Sequence, residues 1–306
     1  MRIAIVGAGG VGGYFGGRLA EAGADVTFLA RGAHLDALRT RGLHIVSPKG
    51  DVHLQRVQAA ATSVEIGRVD IVFFAVKLYD TDGALAALPP LIGPETAVVP
   101  LQNGVDSVAT LTRAIGREHT AGGTCYLAAV ISEPGVIKHT AMDHLIFGEV
   151  DGVRSTRLLA LKEACGSARF QSTFSGDITA DIWNKFVRLS VMSGMTAAAR
   201  SPLGVICRDP ELWAMLLTAV REAMAVARAK GIAVPESTVE DVAKAYAELP
   251  PQTKSSMLED LERGRRLELP WLSGAVVRIG KEVGVPTPTH SFITAVLQPH
   301  VNGTLA

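Results

Sequence analysis

Several residues in this chain have the type and spacing to do chemistry. The first group is a glycine run, Gly7-Ala8-Gly9-Gly10-Val11-Gly12-Gly13, placed directly after a short apolar stretch at 3–6. In the order G-x-G-x-x-G, Gly7 permits a tight turn and Gly12 lets a helix pack closely on a strand. Gly9, with Gly10 beside it, lets the backbone approach a pyrophosphate. The free N–H groups opening the helix would complete that anion site. No Gly-Lys-Ser/Thr follows, so this is not a P-loop. The second candidate is Lys185, because Ile178, Ile182, Leu189 and Met192 stand at −7, −3, +4 and +7 from it and share its helical face. Such a lysine either snorkels its stem along the stripe or holds an ammonium in a partly dry cleft, ready to donate a proton. The third is Glu268, between Leu267 and Leu269 and just before Pro270. It is a cap or a member of a polar network, or it holds a substrate hydroxyl.

Polar residues also stand at the ends of expected strands. Arg31 follows the second strand, where an NAD site ordinarily places a carboxylate; Asp25 precedes that strand instead. An arginine there pairs with a 2′-phosphate, and no carboxylate at the tip repels it, which favours NADP(H) over NAD(H). Lys77 and Asn103 lie just past two further strands, at the edge that faces the ligand crevice in an open parallel sheet. Lys77 would pair with a cofactor or substrate anion. Asn103 would orient the nicotinamide, its ribose or the substrate.

Other chemistries find less support. No His-Glu-x-x-His occurs, and the His139/His144 pair lacks carboxylate or cysteine companions at ligand spacing, so no metal is expected. No Gly-x-Ser-x-Gly marks a hydrolase nucleophile. Lys plus Arg number 30 against 30 Asp plus Glu, which removes the simplest argument for a nucleic-acid partner. Cys125, Cys165 and Cys207 form no C-x-x-C, and the N-terminus shows no signal-peptide pattern. With no uncharged apolar stretch near 18 residues, the expectation is a cytoplasmic protein without a membrane partner.

The elements that must position these residues follow from periodicity. At 306 residues, and with a 48% hydrophobic fraction, the chain is long enough for two cores. Strands are expected at 3–6, 26–30, 69–76 and 96–101, alternating with helices at 14–22, 31–43, 80–88 and 108–115. Residues 44–58 read as an edge hairpin. Three strands, 121–132, 135–140 and 144–148, are expected with turns at Glu133-Pro134-Gly135 and Met142-Asp143. Helix 155–165 and strand 168–170 close this part. From Asp177 onward the pattern is helical, with 202–204 a loop and the tail from Pro299 frayed. The expected architecture is α/β: a Rossmann-like dinucleotide-binding domain, 1–175, followed by an all-helical domain, 176–306.

Together these motifs resemble the ketopantoate reductase (2-dehydropantoate 2-reductase) family over nearly the whole chain. The likeness rests on the glycine run, Arg31, Lys77, Gln102-Asn103-Gly104, Asp177-Ile178 through Trp183-x-Lys185, and Ser255-Ser256-Met257-Leu258-x-Asp260 through Arg266-x-Glu268. The resemblance implies a monomeric or homodimeric NADP(H)-dependent enzyme that reduces a 2-oxo acid to the 2-hydroxy acid, 2-dehydropantoate to pantoate in pantothenate biosynthesis. By the same resemblance Lys185 is the general acid and Glu268 binds the substrate hydroxyl and orients Lys185. Ser256 holds the substrate carboxylate and Asn103 bridges cofactor and substrate, while Arg31 and Lys77 lie on the NADP side. Leu189 and Ser193 occupy substrate-facing positions where the family commonly carries asparagines, which leaves a bulkier or less polar 2-oxo acid or ketone as an alternative. A non-catalytic NADP(H) sensor would keep the glycine run and Arg31 but would have no use for both Lys185 and Glu268. A 3-hydroxyacid or 6-phosphogluconate-type dehydrogenase would more naturally carry a glycine-rich substrate loop after the fourth strand.

Overall fold

The computed structural model describes residues 1–304. Met1–Gln102 and Asp106–Asp181 form one compact unit; Asn103–Val105 and the chain from Ile182 onward form the second.

The first unit is α/β. Strands β1 (Arg2–Val6), β2 (Asp25–Leu29), β5 (Gln58–Ala60), β6 (Val69–Phe74) and β7 (Ile92–Pro100) make a parallel sheet in the order β5-β2-β1-β6-β7. The chain builds outward from β1 through β2 to β5, then returns to β6 on the other side. This reversal beside β1 is the switch point at which open α/β sheets leave a crevice at their C-terminal edge. Alternation sorts the strands' side chains into two cores. Ile3, Ile5, Phe28, Ile71, Phe73 and Val99 enter one, while Ala4, Val6, Val72, Phe74 and Val98 enter the other. The near-continuous apolar strands therefore reflect burial on both faces.

Helix α1 (Gly10–Glu21) carries five glycines, each poor for helix propensity. Their packing explains them. A Cβ on Gly16 would stand 2.7 Å from Phe28 and 2.8 Å from Ile5, in the first sheet, whereas one on Gly17 would meet Ile45 at 2.6 Å and Leu43 at 2.8 Å. These last residues belong to a second sheet, so α1 lies between two sheets and is buried nearly all round. That sheet joins β3 (Leu43–Val46), β4 (Val52–Leu54), β9 (Val136–Glu149) and β10 (Gln171–Phe174), with β8 (Ala121–Glu133) on β9.

The expected hairpin at 44–58 is present as antiparallel β3 and β4, but it belongs to this second sheet, and β5 departs to the first. The expected turn at Met142-Asp143 is absent. β9 runs through it as one strand, and the register moves from Leu127↔Asp143 to Ala128↔Ala141, leaving Met142 as a bulge with φ +57°. The remaining elements of this unit are α2 (Gly32–Arg41), α3 (Ser63–Ile66), α4 (Thr81–Leu85), α5 (Ser107–Ile115) and α6 (Thr156–Ser167).

The second unit is helical. Helix α7 (Ile178–Ala199) leads into it, and Asp177 caps that helix by accepting from Ala180 N–H at 3.0 Å. It continues through Gly194 without interruption. Then come α8 (Leu203–Arg208), α9 (Pro210–Ala229), α10 (Thr238–Glu248), α11 (Ser256–Glu262), α12 (Ser273–Val283) and α13 (Pro288–Leu297). The expected loop at 202–204 thus gives way to a short helix, α8. Phe186, Val187, Val191, Leu216, Val220, Val276 and Ile293 supply the helical core. The tail is held rather than frayed: Val301 C=O accepts from Leu267 N–H at 3.0 Å, and Thr304 N–H donates to Gly264 C=O at 3.0 Å. Among the described residues no helix is long and apolar enough to cross a membrane.

Candidate active site

In the second unit three residues far apart in sequence join through one side-chain amide. Lys185 comes from the middle of α7, on the face that carries its apolar stripe, and is 8% exposed. Glu268 precedes a 3₁₀ turn at Leu269–Trp271 and is 6% exposed, between Leu267 and Leu269, which are buried fully or nearly so. Asn103 lies three residues beyond the end of β7. Lys185 Nζ donates to Asn103 Oδ1 at 3.0 Å, and Asn103 Nδ2 donates to Glu268 Oε2 at 3.1 Å. Only one amide orientation satisfies both partners. Reversed, it would set NH₂ against the ammonium and oxygen against the carboxylate. The two buried charges offset each other through this bridge, which lowers the cost of keeping an ammonium out of water. An ammonium so held can protonate an oxygen that gains negative charge, and the carboxylate can accept from a hydroxyl.

Leu189 and Ser193 follow Lys185 by one and two turns of α7. Leu189 is half-buried against the helical core. Ser193 Oγ is buried and has no partner among the described residues. Ser256 takes the exposed first position of α11 and no part in the Lys185–Asn103–Glu268 chain of hydrogen bonds. Its neighbour Ser255 is structural, accepting from Leu258 N–H at 3.1 Å and pairing with Thr196 Oγ1 at 2.7 Å.

The first unit presents its candidates along the C-terminal edge of the parallel sheet. Gly7 has φ +99°, and a Cβ there would stand 2.7 Å from the backbone nitrogen of Val76. On Gly12 it would stand 2.2 Å from Gly7 C=O, and on Gly10 2.2 Å from Ala129 C=O of β8. Gly9 is different: nothing lies within 4 Å of the Cβ position. It is also the residue that opens α1, whose first N–H groups have no acceptor inside the helix. Open space beside orphan donors suits a pyrophosphate.

Arg31 caps α2 from the tip of β2 with an almost fully exposed side chain. Lys77 is exposed three residues beyond β6. Sequence reasoning missed Asp80, whose Oδ2 lies 3.7 Å from Arg31 Nη2. The strand tip itself carries no acid, as expected, but the chain after β6 delivers one there. The signal was present as Asp80 three residues beyond Lys77, although nothing local linked it to Arg31. His34 serves packing: its Nδ1 accepts from Gly135 N–H at 3.1 Å, and burial pushes its pKa down. His139 is likewise spent internally, on Ser47 Oγ and Met142 C=O. Among the described residues no group of three or more His, Cys, Asp or Glu is arranged to hold a metal ion.

Comparison with known proteins agrees along the chain. The family model described as ketopantoate reductase PanE/ApbA matches residues 3–152, and that for the PanE/ApbA C terminal matches residues 177–301. The uncharacterized oxidoreductase YkpB of Bacillus subtilis is 34% identical over 299 residues, 97% of this chain and 98% of that protein. The 2-dehydropantoate 2-reductase of Mesorhizobium japonicum is 33% identical, with 97% of each chain covered. The crystal structure of 2-dehydropantoate 2-reductase from Geobacter metallireducens superposes with a TM-score of 0.92 at 28% identity, covering 97% of this chain and 99% of that one. With a parallel-sheet α/β unit, a helical unit and both halves matched in order, this chain is an oxidoreductase of the ketopantoate reductase family.

Proposed function

We propose that this protein reduces a 2-oxo acid to the 2-hydroxy acid with NADPH, that residues 1–175 bind the cofactor and that 176–306 supply the catalytic part. The observation that carries this reading is the Lys185–Asn103–Glu268 chain of hydrogen bonds. Several relatives bear the name 2-dehydropantoate 2-reductase, which makes 2-dehydropantoate the first substrate to assay.

When bound, NADPH supplies the hydride that adds to the carbonyl carbon. Lys185 then gives its proton to the carbonyl oxygen as that atom gains charge. The amide of Asn103 holds the ammonium on one line, so little reorganisation is needed at the moment of reaction. Glu268 fixes the amide and balances the ammonium, and it accepts from a substrate hydroxyl where one is present. On the cofactor side, the first-turn N–H groups of α1 meet the pyrophosphate, and Gly9 leaves room for it. Arg31 and Lys77 provide positive charge at the same sheet edge. Ser256 offers a hydroxyl to the substrate carboxylate, with Leu189 and Ser193 lining the substrate side.

The test is Lys185→Ala, assayed by NADPH oxidation and by cofactor titration. Turnover should fall by about 10²–10⁴ while the NADPH dissociation constant changes little. Unchanged turnover would remove Lys185 from the chemistry.

A further inference from the structure

The cofactor edge of the first unit carries two groups of opposite preference. Arg31 and Asp80 reach each other from the ends of β2 and β6, the two strands that flank β1. Three features single out this pair. Its separation is 3.7 Å and both side chains are solvent-exposed, Arg31 to 90% and Asp80 to 40%, so it contributes little to stability. Asp80 stands at the N-cap of α4, where an aspartate ordinarily accepts from the helix, yet its side chain makes no capping bond. Finally, the ground near Arg31 is open, since nothing lies within 4 Å of a Cβ built on Gly32.

In Rossmann-type sites the group beside the second strand decides the nucleotide. A carboxylate accepts from the adenosine ribose hydroxyls of NAD(H), whereas an arginine accommodates the 2′-phosphate of NADP(H). Here both are present within one ion pair. We propose that Asp80 is a cofactor-selecting residue that makes this site accept both nucleotides, Arg31 pairing with the 2′-phosphate of NADPH and Asp80 accepting from the ribose hydroxyls of NADH. The inference rests on the dinucleotide reading of the glycine loop. NADPH takes Arg31 from Asp80 and leaves the carboxylate as a like charge near the phosphate. At about 6 Å from a dianionic phosphate, that repulsion reduces affinity about tenfold in salt-free water and about threefold at physiological salt. NADH meets no such repulsion and gains the acceptor.

Titration calorimetry with NADPH and NADH on wild type, Asp80→Asn and Arg31→Ala tests this without any turnover. The wild type should bind the two nucleotides within about tenfold of each other. Asp80→Asn should bind NADPH about three- to tenfold tighter and NADH at least threefold weaker, with the NADPH gain shrinking as salt is raised. Arg31→Ala should lose at least tenfold for NADPH while NADH changes less than threefold. Equal changes for both nucleotides in Asp80→Asn would reduce Asp80 to a structural residue and overturn the proposal. So would wild-type NADH binding more than a hundredfold weaker than NADPH. Failure to bind either nucleotide would overturn both this inference and the reductase reading. Binding as expected, with no 2-oxo acid reduced, would overturn the reductase reading alone.

Discussion

Asn103 has no charge to transfer, yet the candidate site is organised on it. Its oxygen and nitrogen face opposite charges, so the amide both separates and couples Lys185 and Glu268. Asn103→Ala should therefore cost more than a lost contact, because it leaves a buried ammonium and a buried carboxylate without their shared partner. We expect kcat to fall by about 10²–10³, with a much smaller loss of NADPH affinity. Asn103→Asp replaces the amide donor with an oxygen facing Glu268, and its kcat should fall at least as far as that of Asn103→Ala. Steady-state kinetics and NADPH titration of both variants check this. At this scale the sequence was readable where a residue contradicted its surroundings: a lysine on an apolar stripe and a glutamate between leucines. It was silent on Asp80, whose surroundings are ordinary and whose partner lies in another loop.

Among the elements, α1 is the one most shaped by its neighbours. Its adjacent glycines have different jobs, and substitution separates them. Gly10→Ala would drive a methyl into the backbone carbonyl of Ala129, which cannot swing aside, and should destabilise the protein by about 1–3 kcal/mol in urea unfolding. Gly9→Ala meets nothing within 4 Å, so its unfolding midpoint should stay near wild type. The same methyl would stand where the reading puts a pyrophosphate, and NADPH affinity should drop by at least tenfold. The elements that periodicity misplaced have two different causes. Met142-Asp143 looks like a turn because a polar residue breaks the alternation, but strand pairing with β8 on either side carries β9 through it, and a bulge absorbs the surplus residue. Helix α8 is only six residues long, too short for a hydrophobic period to emerge.

For the molecule as a whole, the order of elements could be read from the chain, but the second sheet could not. Its strands come from 43–54, 121–149 and 171–174, and no local pattern announces pairing over such separations. Burial also sets a whole-molecule property, the response to acid. His290 is fully buried, its N–H and that of Thr289 both donating to Glu222, while its Nε2 lies 3.1 Å from Ala219 C=O. Desolvation outweighs the opposing pull of the Ala219 carbonyl and Glu222 and pushes its pKa down to about 4. The unfolded chain thus binds the proton first, so stability is complete above about pH 6.5 and declines as pH falls toward 4. At about 1.4 kcal/mol per pH unit, this one group contributes roughly 3 kcal/mol to the decline. Denaturant unfolding from pH 7 to pH 4.5 should show a shallower decline in His290→Asn than in wild type.

The hydrogen bonds from the tail bear on the order in which the protein becomes active during synthesis. Gly7, Arg31 and Lys77 emerge from the ribosome early. Glu268 follows a stretch whose backbone is braced at Leu267 and Gly264 by Val301 and Thr304, which are made later still. Domains generally fold as units, N-terminal first, as the chain is produced. A nascent or prematurely terminated chain would then present its glycine loop before the carboxylate of the candidate site is held. Ending the chain at Pro299 should spare nucleotide binding and sharply lower kcat, because the contacts that steady the backbone before Glu268 are made by Val301 and Thr304.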